Sequence, residues 1–279
     1  MSALPARAGR CARLAALAFG LIAATLSPAL HAASLPDTGQ DLCYTGSAAD
    51  VVAANSPSSV ARDAGSHPRQ DCRFGRDPAF AAGASVKTGG GAKGFDYSKI
   101  ANNGSTLTAG ATLGATAGDW ACTRDNLTEL TWEVKTAGPV AAEPRSTLAS
   151  YTWYNSNPLT NGGNAGTVSN GFCQTAGTCD TEKFIALVNA IGGSGLCGFS
   201  DWRLPSLREL KSLVHAGSAA PAAIDLTYFP NTQAAGYWSG SAYVPDPIGA
   251  WYVIFDNGFS LPGFRSGGQS VRLVRGGQF

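Results

Sequence analysis

The sequence predicts an α+β fold that is stabilised by disulfide bonds. Two amphipathic helical segments lie among several alternating strand segments in the second half of the chain, a pattern typical of that class. Glycine, alanine, serine and asparagine dominate the part before them. We therefore predict a signal peptide at residues 1–32, a loop-rich segment at 33–118 that packs on or leads into the main domain, and that domain at 119–279.

The first 32 residues have the three parts of an export signal. Arg7, Arg10 and Arg13 form a basic start, an apolar run follows at residues 14–26, and small residues surround Ala32, the expected cleavage site. The run is shorter than the about 20 residues that a transmembrane helix needs. We expect a periplasmic or secreted, cell-surface protein with no transmembrane segment after signal removal; a retained anchor is the alternative.

The charge balance excludes one class of partner. Only 14% of the residues are charged, and the chain without its signal has 17 basic and 19 acidic residues, a net charge of about −2. Nucleic-acid binding requires a basic surface that attracts phosphates. Nucleic acid is therefore not an expected partner.

Six cysteines remain after the signal, an even number that favours disulfides in an oxidising compartment. The sequence does not choose between the pairings. The candidates are Cys43, Cys72, Cys122, Cys173, Cys179 and Cys197.

Metal binding has little support in the sequence. No Cys-x-x-Cys pair exists, and His67 and His215 lack the spacing of zinc ligands. Calcium is the one cofactor left open, at Asp225, Asp246 and Asp256, because carboxylate oxygens suit that ion. Solvated turn residues are the other interpretation of these aspartates.

Local patterns before the helices predict one strand between two irregular segments. Residues 62–80 carry four arginines and three aspartates and are interpreted as a surface loop with mutual ion pairs. Leu130, Trp132 and Val134 alternate with polar residues, which is typical of a half-buried strand. Residues 135–177 form a long polar insertion, which is either functional or disordered.

Two helices are predicted from apolar spacing and caps. In the first, residues 181–191, Phe184 and Val188 lie on one face and Asp180 can cap the start. In the second, which follows Pro205, Ser206-Leu207-Arg208-Glu209 has the sequence of a capping box. Strands are predicted at residues 236–244, 250–256 and 271–275, with a hairpin turn at Asn257-Gly258.

No spacing typical of a catalytic site occurs in the chain. The nucleophile elbow Gly-x-Ser-x-Gly, the His-Glu-x-x-His motif and the Walker loop are all missing, so we predict no enzyme activity and no catalytic residue. Flat aromatic rings suit sugar stacking. Trp153, with Tyr151 and Tyr154 in the polar insertion, is the surface candidate for such contacts.

Five blocks in the second half resemble the Lcl C-terminal domain family of bacterial exported proteins, long catalogued as a domain of unknown function. They lie, in family order, at residues 125–133, 198–210, 237–241, 250–253 and 271–277, and the second reads Gly-Phe-Ser-Asp-Trp-Arg-Leu-Pro-Ser-Leu-Arg-Glu-Leu. The signature residues for which we predict a structural role are Trp132, Trp202, Arg203, Leu204, Pro205, Glu209, Trp238 and Trp251. Arg203 is expected to pair with Glu209 or Asp201. Glu129 departs from the family, which usually has glycine there, and we expect this to alter the turn before Trp132.

The resemblance implies a fold similar to C-type lectin-like and formylglycine-generating domains, with two helices, twisted antiparallel strands and ligand-carrying loops. The adhesin that names the family binds sulfated polysaccharides, so carbohydrate binding is implied. Arg265, Arg272 and Arg275 are the candidate sulfate ligands. Arg272 and Arg275 are three apart, however, and on one regular strand they face opposite sides.

Three functions follow from these observations. The first is a non-enzymatic adhesin or lectin-like module that binds a surface polysaccharide or another extracellular ligand. The second is a structural or interaction subunit of a cell-envelope or pilus-like assembly, with an envelope protein as partner. The third is a formylglycine-generating type of oxidase, which needs a copper-binding cysteine pair that the sequence does not place.

Overall fold

The computed structural model describes residues 37–40, 42–44, 51–53, 70–83 and 85–277. The signal peptide expected at residues 1–32 lies outside the described residues, as do the first residues of the segment that follows it.

Antiparallel pairing organises the described strands into three sheets. A small sheet pairs β1 (Leu42–Tyr44) with β2 (Val51–Ala53); a second has the order β3 (Tyr97–Ala101), β4 (Trp120–Asp125), β5 (Thr131–Glu133), β9 (Val274–Arg275); a third has the order β6 (Gly236–Ala242), β7 (Gly249–Ile254), β8 (Ser260–Phe264). β9 closes the second sheet by pairing with β5, so the C-terminal end of the chain lies beside the predicted first strand.

Helices form a small part of the described chain. They are α1 (Asp71–Phe74), α2 (Arg76–Ala81), α3 (Thr181–Ala190) and α4 (Leu207–Lys211), and two 3₁₀ turns lie at Ile191–Gly193 and Leu196–Gly198. The structure is therefore mixed α and β with few helices, antiparallel sheets and disulfides.

Both predicted helices form with their predicted caps. The Asp180 carboxylate accepts a hydrogen bond from the Lys183 amide at 2.9 Å and begins α3. At α4 the Ser206 hydroxyl accepts from the Glu209 amide, and the Glu209 carboxylate accepts from the Ser206 amide. Such reciprocal bonds satisfy amides that the first turn leaves without a partner.

The segment before residue 119 has more regular structure than its composition predicts. β3 pairs along β4, with Ile100 opposite Cys122, so this segment supplies an edge strand of the second sheet. The interpretation of residues 62–80 as a loop is wrong for the part that α1 and α2 occupy. Helices of four and six residues have little more than one turn, too short to show a helical period.

Glu129 explains why the family usually has glycine at this position. Its φ is +61°, in the left-handed region that only glycine enters without strain. The turn before Trp132 has this conformation with glutamate in place, and the alteration expected from glutamate stays a prediction.

The six cysteines pair as Cys43–Cys72, Cys122–Cys197 and Cys173–Cys179. The second bond spans 75 residues and joins β4 to the 3₁₀ turn that precedes the Lcl-like signature block. Closing so long a loop removes much of the entropy of the unfolded chain.

Two clusters of buried apolar residues lie on opposite faces of the third sheet. Trp238 belongs to one cluster and its neighbour Tyr237 to the other, since successive strand residues point to opposite faces. α3 packs into the first cluster through Phe184 and Val188, and α4 into the second through Leu210.

β5 is buried on both faces, and the prediction of a half-buried strand is wrong. Glu133 and Lys135, the polar members of the alternation, are 0% and 1% exposed. Their side chains form an ion pair of 2.9 Å, and the second oxygen of Glu133 accepts a hydrogen bond from the Leu273 amide. The Arg272 guanidinium donates to the Glu133 carbonyl at 2.7 Å. The polar face of the strand is therefore an internal ionic cluster.

We predict that Glu133→Gln lowers the free energy of unfolding by about 3 kcal/mol or more, because it leaves Lys135 buried without its carboxylate partner. The matched control is Glu129→Gln. Glu129 is exposed and makes only a surface ion pair with Arg124, so its loss should be under about 1 kcal/mol. Urea unfolding of both variants measures the difference, and equal losses would contradict the role of the buried cluster.

Three aspartates meet where the N-terminal segment contacts α1 and α2. Burial and the nearby carboxylates of Asp37 and Asp71 raise the pKa of Asp77 to about 6, and Lys93 opposes this shift. A carboxyl group whose pKa is raised on folding stabilises the protein below its unfolded pKa, and this stability is lost as the pH rises through the folded value.

We therefore predict that Asp77→Asn makes the protein more stable than the wild type at pH 7.5, where the wild-type carboxylate is ionised. At about pH 4 the wild-type group is protonated, so most of this advantage should disappear. Urea midpoints of the two proteins at both pH values test the prediction. An advantage of the same size at both would show that ionisation of Asp77 is not its cause.

Candidate ligand-binding face

The aromatic residues predicted for the surface lie mostly inside. Trp153 and Tyr151 are 0% and 2% exposed, so the expectation of a surface Trp153 is wrong. The Trp153 indole donates to the Ser239 carbonyl at 2.9 Å, and the Arg265 guanidinium stacks on its ring at 4.0 Å. At this point the side chain of the polar insertion points inward and packs in the apolar cluster on one face of the third sheet.

Tyr151 and Tyr154 also have structural contacts. The Tyr151 ring packs on Phe184 at 4.6 Å, and burial raises the pKa of its hydroxyl. Tyr154 is half-buried, and its backbone amide and carbonyl both bond the Thr181 hydroxyl. The three predicted aromatic residues therefore do not form a shared surface for a ligand.

The three candidate arginines do not form a cluster. Arg272 is fully buried, while Arg275 lies at the surface, as their spacing predicts. Arg275 stacks on Phe199 at 3.9 Å and donates to both oxygens of Asp201. Arg265 is 2% exposed and lies beside the third sheet.

The signature residues have mainly scaffold contacts. Trp132, Trp202 and Trp238 are buried, and the Trp202 indole donates to the Leu196 carbonyl. Arg203 pairs with Glu209 through two bonds of 2.7 and 2.8 Å, which selects between its two predicted partners. Two signature residues join neighbouring elements: the Pro205 carbonyl accepts from the Gly240 amide, and Leu204 packs against the first cluster.

One face of the third sheet presents aromatic rings to solvent. Pro262 of β8 lies opposite Trp251 of β7, and Phe264 lies opposite Gly249, so the four share a face. Tyr243, which follows β6, packs edge-on against Trp251 at 5.3 Å. Phe264 is 68% exposed and Trp251 is half-buried. We call Tyr243, Trp251, Pro262 and Phe264 the aromatic face.

A shallow apolar hollow of about 230 Å³ lies within the aromatic face, between Tyr243 and Phe264. Gly249 forms its floor, and a Cβ atom there would lie 3.2 Å from the Tyr243 side chain. The missing side chain of Gly249 is thus what leaves space between the two rings.

The free edge of β8 is unsuited to strand addition. The bonds from the Arg265 amide to Ile248 and from the Ile254 amide to Phe259 place the odd-numbered residues of β8 toward β7. Pro262 therefore faces the open edge, where it has no N–H to donate. A partner on this face has to bind through side chains.

A larger hollow of about 660 Å³ lies where α4 covers the same sheet face. Its lining is Ser206, Leu207, Arg208, Lys211 and Ser241, which we call the basic hollow. Arg208 and Lys211 are exposed and take part in none of the ion pairs found among the described residues. Both serine hydroxyls accept a backbone N–H bond, so each keeps its own hydrogen to donate.

Two of the aspartates considered for calcium accept backbone hydrogen bonds. Asp225 accepts from the amides of Thr227 and Ala92, and Asp246 accepts from that of Ile248. Asp256 is exposed beside the hairpin turn. Among the described residues, no three His, Cys, Asp or Glu side chains are placed together to hold a metal ion.

A comparison with family profiles decides the family. The Lcl C-terminal domain profile matches residues 121–275, which is more than half of the chain. The chain belongs to the Lcl C-terminal domain family. A search of curated proteins found no match, and a search of solved structures found none either.

The matched Lcl C-terminal domain begins inside β4 and ends with β9, so it includes both candidate hollows and the aromatic face. The family and the disulfides are compatible with an extracellular or periplasmic location. In the part of the chain that the structure describes, no helix has the length and apolar character needed to cross a membrane.

Sequence reasoning missed the exposed residues of this Lcl C-terminal domain. β8 reads Ser-Leu-Pro-Gly-Phe, and its proline and glycine hide the alternation by which a strand is recognised. Arg208 belongs to the signature block and was not distinguished from its structural neighbours. A usable signal was the pair Arg208 and Lys211, which are three residues apart on a predicted helix and so lie on one face.

We predict that Trp153→Ala lowers the free energy of unfolding by about 3 to 5 kcal/mol, because it empties a fully buried site and removes the ring under Arg265. Trp251→Ala is the control, and its half-buried ring should cost less. Thermal and urea unfolding of both variants test this. A Trp153→Ala protein as stable as the wild type would contradict the buried placement.

Proposed function

We propose that this protein is an exported, non-enzymatic binding module whose aromatic face and basic hollow hold a surface polysaccharide with acidic groups. The observation that carries the proposal is the position of two unpaired cations beside an exposed aromatic surface on one face of the third sheet. A periplasmic or cell-surface location belongs to the proposal, and the three disulfides support it.

The aromatic face suits the flat apolar side of a sugar ring. Exposed aromatic residues on one surface are uncommon in proteins that bind nothing there, because their burial against a ligand is favourable. Phe264 and Trp251 offer ring surface, while the hollow over Gly249 has the depth to receive a ring edge. The absence of an N–H at Pro262 also favours a ligand that needs no strand pairing.

The basic hollow accounts for the acidic groups. Its lining has two cations, two hydroxyl donors and no carboxylate. An anion bound there would receive charge-assisted hydrogen bonds, which are stronger than neutral ones. The net charge of about −2 that we expect for the chain without its signal does not prevent anion binding, because screening confines the influence of distant charges to about 10 Å.

We also propose that the domain has a C-type lectin-like plan. The helices α3 and α4 together with antiparallel strands support that plan. The stronger support for ligand binding is the site itself, since one fold serves many functions.

A structural subunit of an envelope or pilus-like assembly is the second candidate. Apolar side chains continue beyond the aromatic face, with Val244 85% and Ile248 49% exposed, and such patches favour a protein partner. A partner protein that copurifies and covers these residues, with no glycan bound, would favour this candidate.

The oxidase alternative has no support at the cysteines. All six described cysteines are in disulfides, whereas that chemistry needs a thiol pair that binds copper. Non-enzymatic binding therefore remains the proposal, and turnover of the bound ligand would contradict it.

We predict that Phe264→Ala weakens binding to an acidic polysaccharide about tenfold, because it removes the most exposed ring of the aromatic face. Phe259→Ala is the matched control: Phe259 is 66% exposed, but it lies outside this face and should have no effect. Titrations with alginate, dextran sulfate and neutral dextran measure affinity. Binding of none of them would contradict the polysaccharide proposal, as would equal losses in both variants.

We predict that replacing both Arg208 and Lys211 with glutamine weakens binding of alginate or dextran sulfate by at least tenfold and reduces the dependence of binding on salt. Arg124→Gln, on the second sheet, is the control for loss of an exposed cation. Affinities measured at low and high sodium chloride test this. Unchanged affinity in the double variant would exclude the basic hollow as the anion site.

A further inference from the structure

Among the described residues, Arg265 is a buried cation with no carboxylate partner. Its side chain is 2% exposed, its Nε atom donates to the Gly249 carbonyl at 2.9 Å, and its Nη1 atom donates to the carbonyls of Asn161 and Asn164. The other terminal nitrogen, Nη2, is buried and has no hydrogen-bond partner in the part of the chain that the structure describes. A buried guanidinium without a counter-ion is costly, and each unmet donor adds to that cost.

A polar hollow of about 340 Å³ adjoins this guanidinium. It is lined by Asn164, Gly166, Thr167, Ile248, Phe264, Arg265 and Ser266, and we call it the polar hollow. It shares Phe264 and Ile248 with the apolar hollow of the aromatic face, so one ligand can extend across Phe264 into both.

The free polar groups of the polar hollow are suited to donate. The Asn164 carbonyl Oδ1 accepts from the Gly166 amide, which leaves its amide hydrogens free. The hydroxyls of Thr167 and Ser266 have no assigned partner among the described residues, and no acid lies in the lining. Donors gathered beside an unpaired cation match an oxyanion.

A glycine tip covers the unpaired nitrogen. Gly162 and Gly163 have φ of +67° and +90°, and a Cβ atom on Gly162 would lie 2.6 Å from the Ala242 Cβ atom and 3.7 Å from Nη2. A Cβ atom on Gly163 would meet no atom within 4 Å. An alanine at position 162 would therefore crowd the space beside Nη2, whereas an alanine at position 163 would not.

We propose that the polar hollow is a subsite for one oxyanion, a carboxylate or a sulfate ester, which its donors hold beside the Arg265 guanidinium. The inference rests on the proposed function in one respect: the oxyanion belongs to the polysaccharide on the aromatic face. Trp153 holds the guanidinium from below, and the three carbonyls fix its orientation.

The test begins with free ions on the oxidised full-length mature protein. Sodium acetate and sodium sulfate, each compared with sodium chloride at equal ionic strength, should raise Tm saturably by about 3 °C or more. Acetate and sulfate distinguish the two kinds of oxyanion. Gly162→Ala should displace the loop from Ala242 beside Nη2 and abolish the rise, whereas Gly163→Ala, which also places alanine at a positive φ but in open space, should keep it.

A second variant covers the case in which Gly162→Ala does not fold. The double substitution Thr167→Val and Ser266→Ala removes two hydroxyls from the lining and should weaken ion affinity about tenfold. No rise in Tm with either ion in the wild type would overturn the subsite, as would a rise that both the Gly162 variant and the double variant retain.

Polysaccharide binding separates this inference from the proposed function. If alginate or dextran sulfate binds and Phe264→Ala weakens it, while acetate and sulfate have no effect on Tm, the subsite is wrong and the function stands. If the ions stabilise the wild type and not Gly162→Ala, while no polysaccharide binds, the subsite stands and the function is wrong.

Discussion

The buried carboxylate of Glu133 is the interaction on which the rest of this domain depends. It neutralises Lys135 at 2.9 Å and accepts the Leu273 amide, while its backbone carbonyl accepts from Arg272. These contacts join β5 to the segment that leads into β9, whose last residue is Arg275. Because charges in a protein interior are costly unless they are paired and hydrogen-bonded, the cluster favours one arrangement of these strands.

The contacts of Glu133 also lie close to the segment that connects the second sheet to the third sheet. β9 closes the second sheet, and the residues just before it carry the chain from the third sheet: the Ser270 amide donates to Gly236, and the Trp238 amide donates to Ser270. The third sheet therefore has a fixed edge at β6 and an open edge at β8. The aromatic face lies mainly on β7 and β8, and the basic hollow lies where α4 meets β6.

Patterns with a local physical cause could be predicted from the sequence. The caps at Asp180 and Ser206 depend on neighbouring residues, and both form as predicted. The burial of Glu133 could not be predicted. Polar residues that alternate with apolar ones along a strand indicate a solvent-exposed face, and nothing local in the sequence shows that residues distant in the chain cover it. β3 was not predicted for a similar reason: its local pattern is weak, and its pairing with β4 stabilises it as a strand.

At the candidate site, too, contacts between residues distant in sequence could not be predicted. Trp153 and Arg265 share a contact of 4.0 Å although 112 positions separate them in sequence. The polar insertion predicts a surface position for Trp153, and the family resemblance makes Arg265 a candidate sulfate ligand, yet both side chains are buried. Together they form the interior support of the face that Phe264 presents outside. A buried ring under a buried cation fixes the position of the guanidinium, and the carbonyls of the glycine-rich loop then orient it. Residues that pattern alone marks for a ligand can thus act one layer beneath it, where their packing determines which groups the ligand meets.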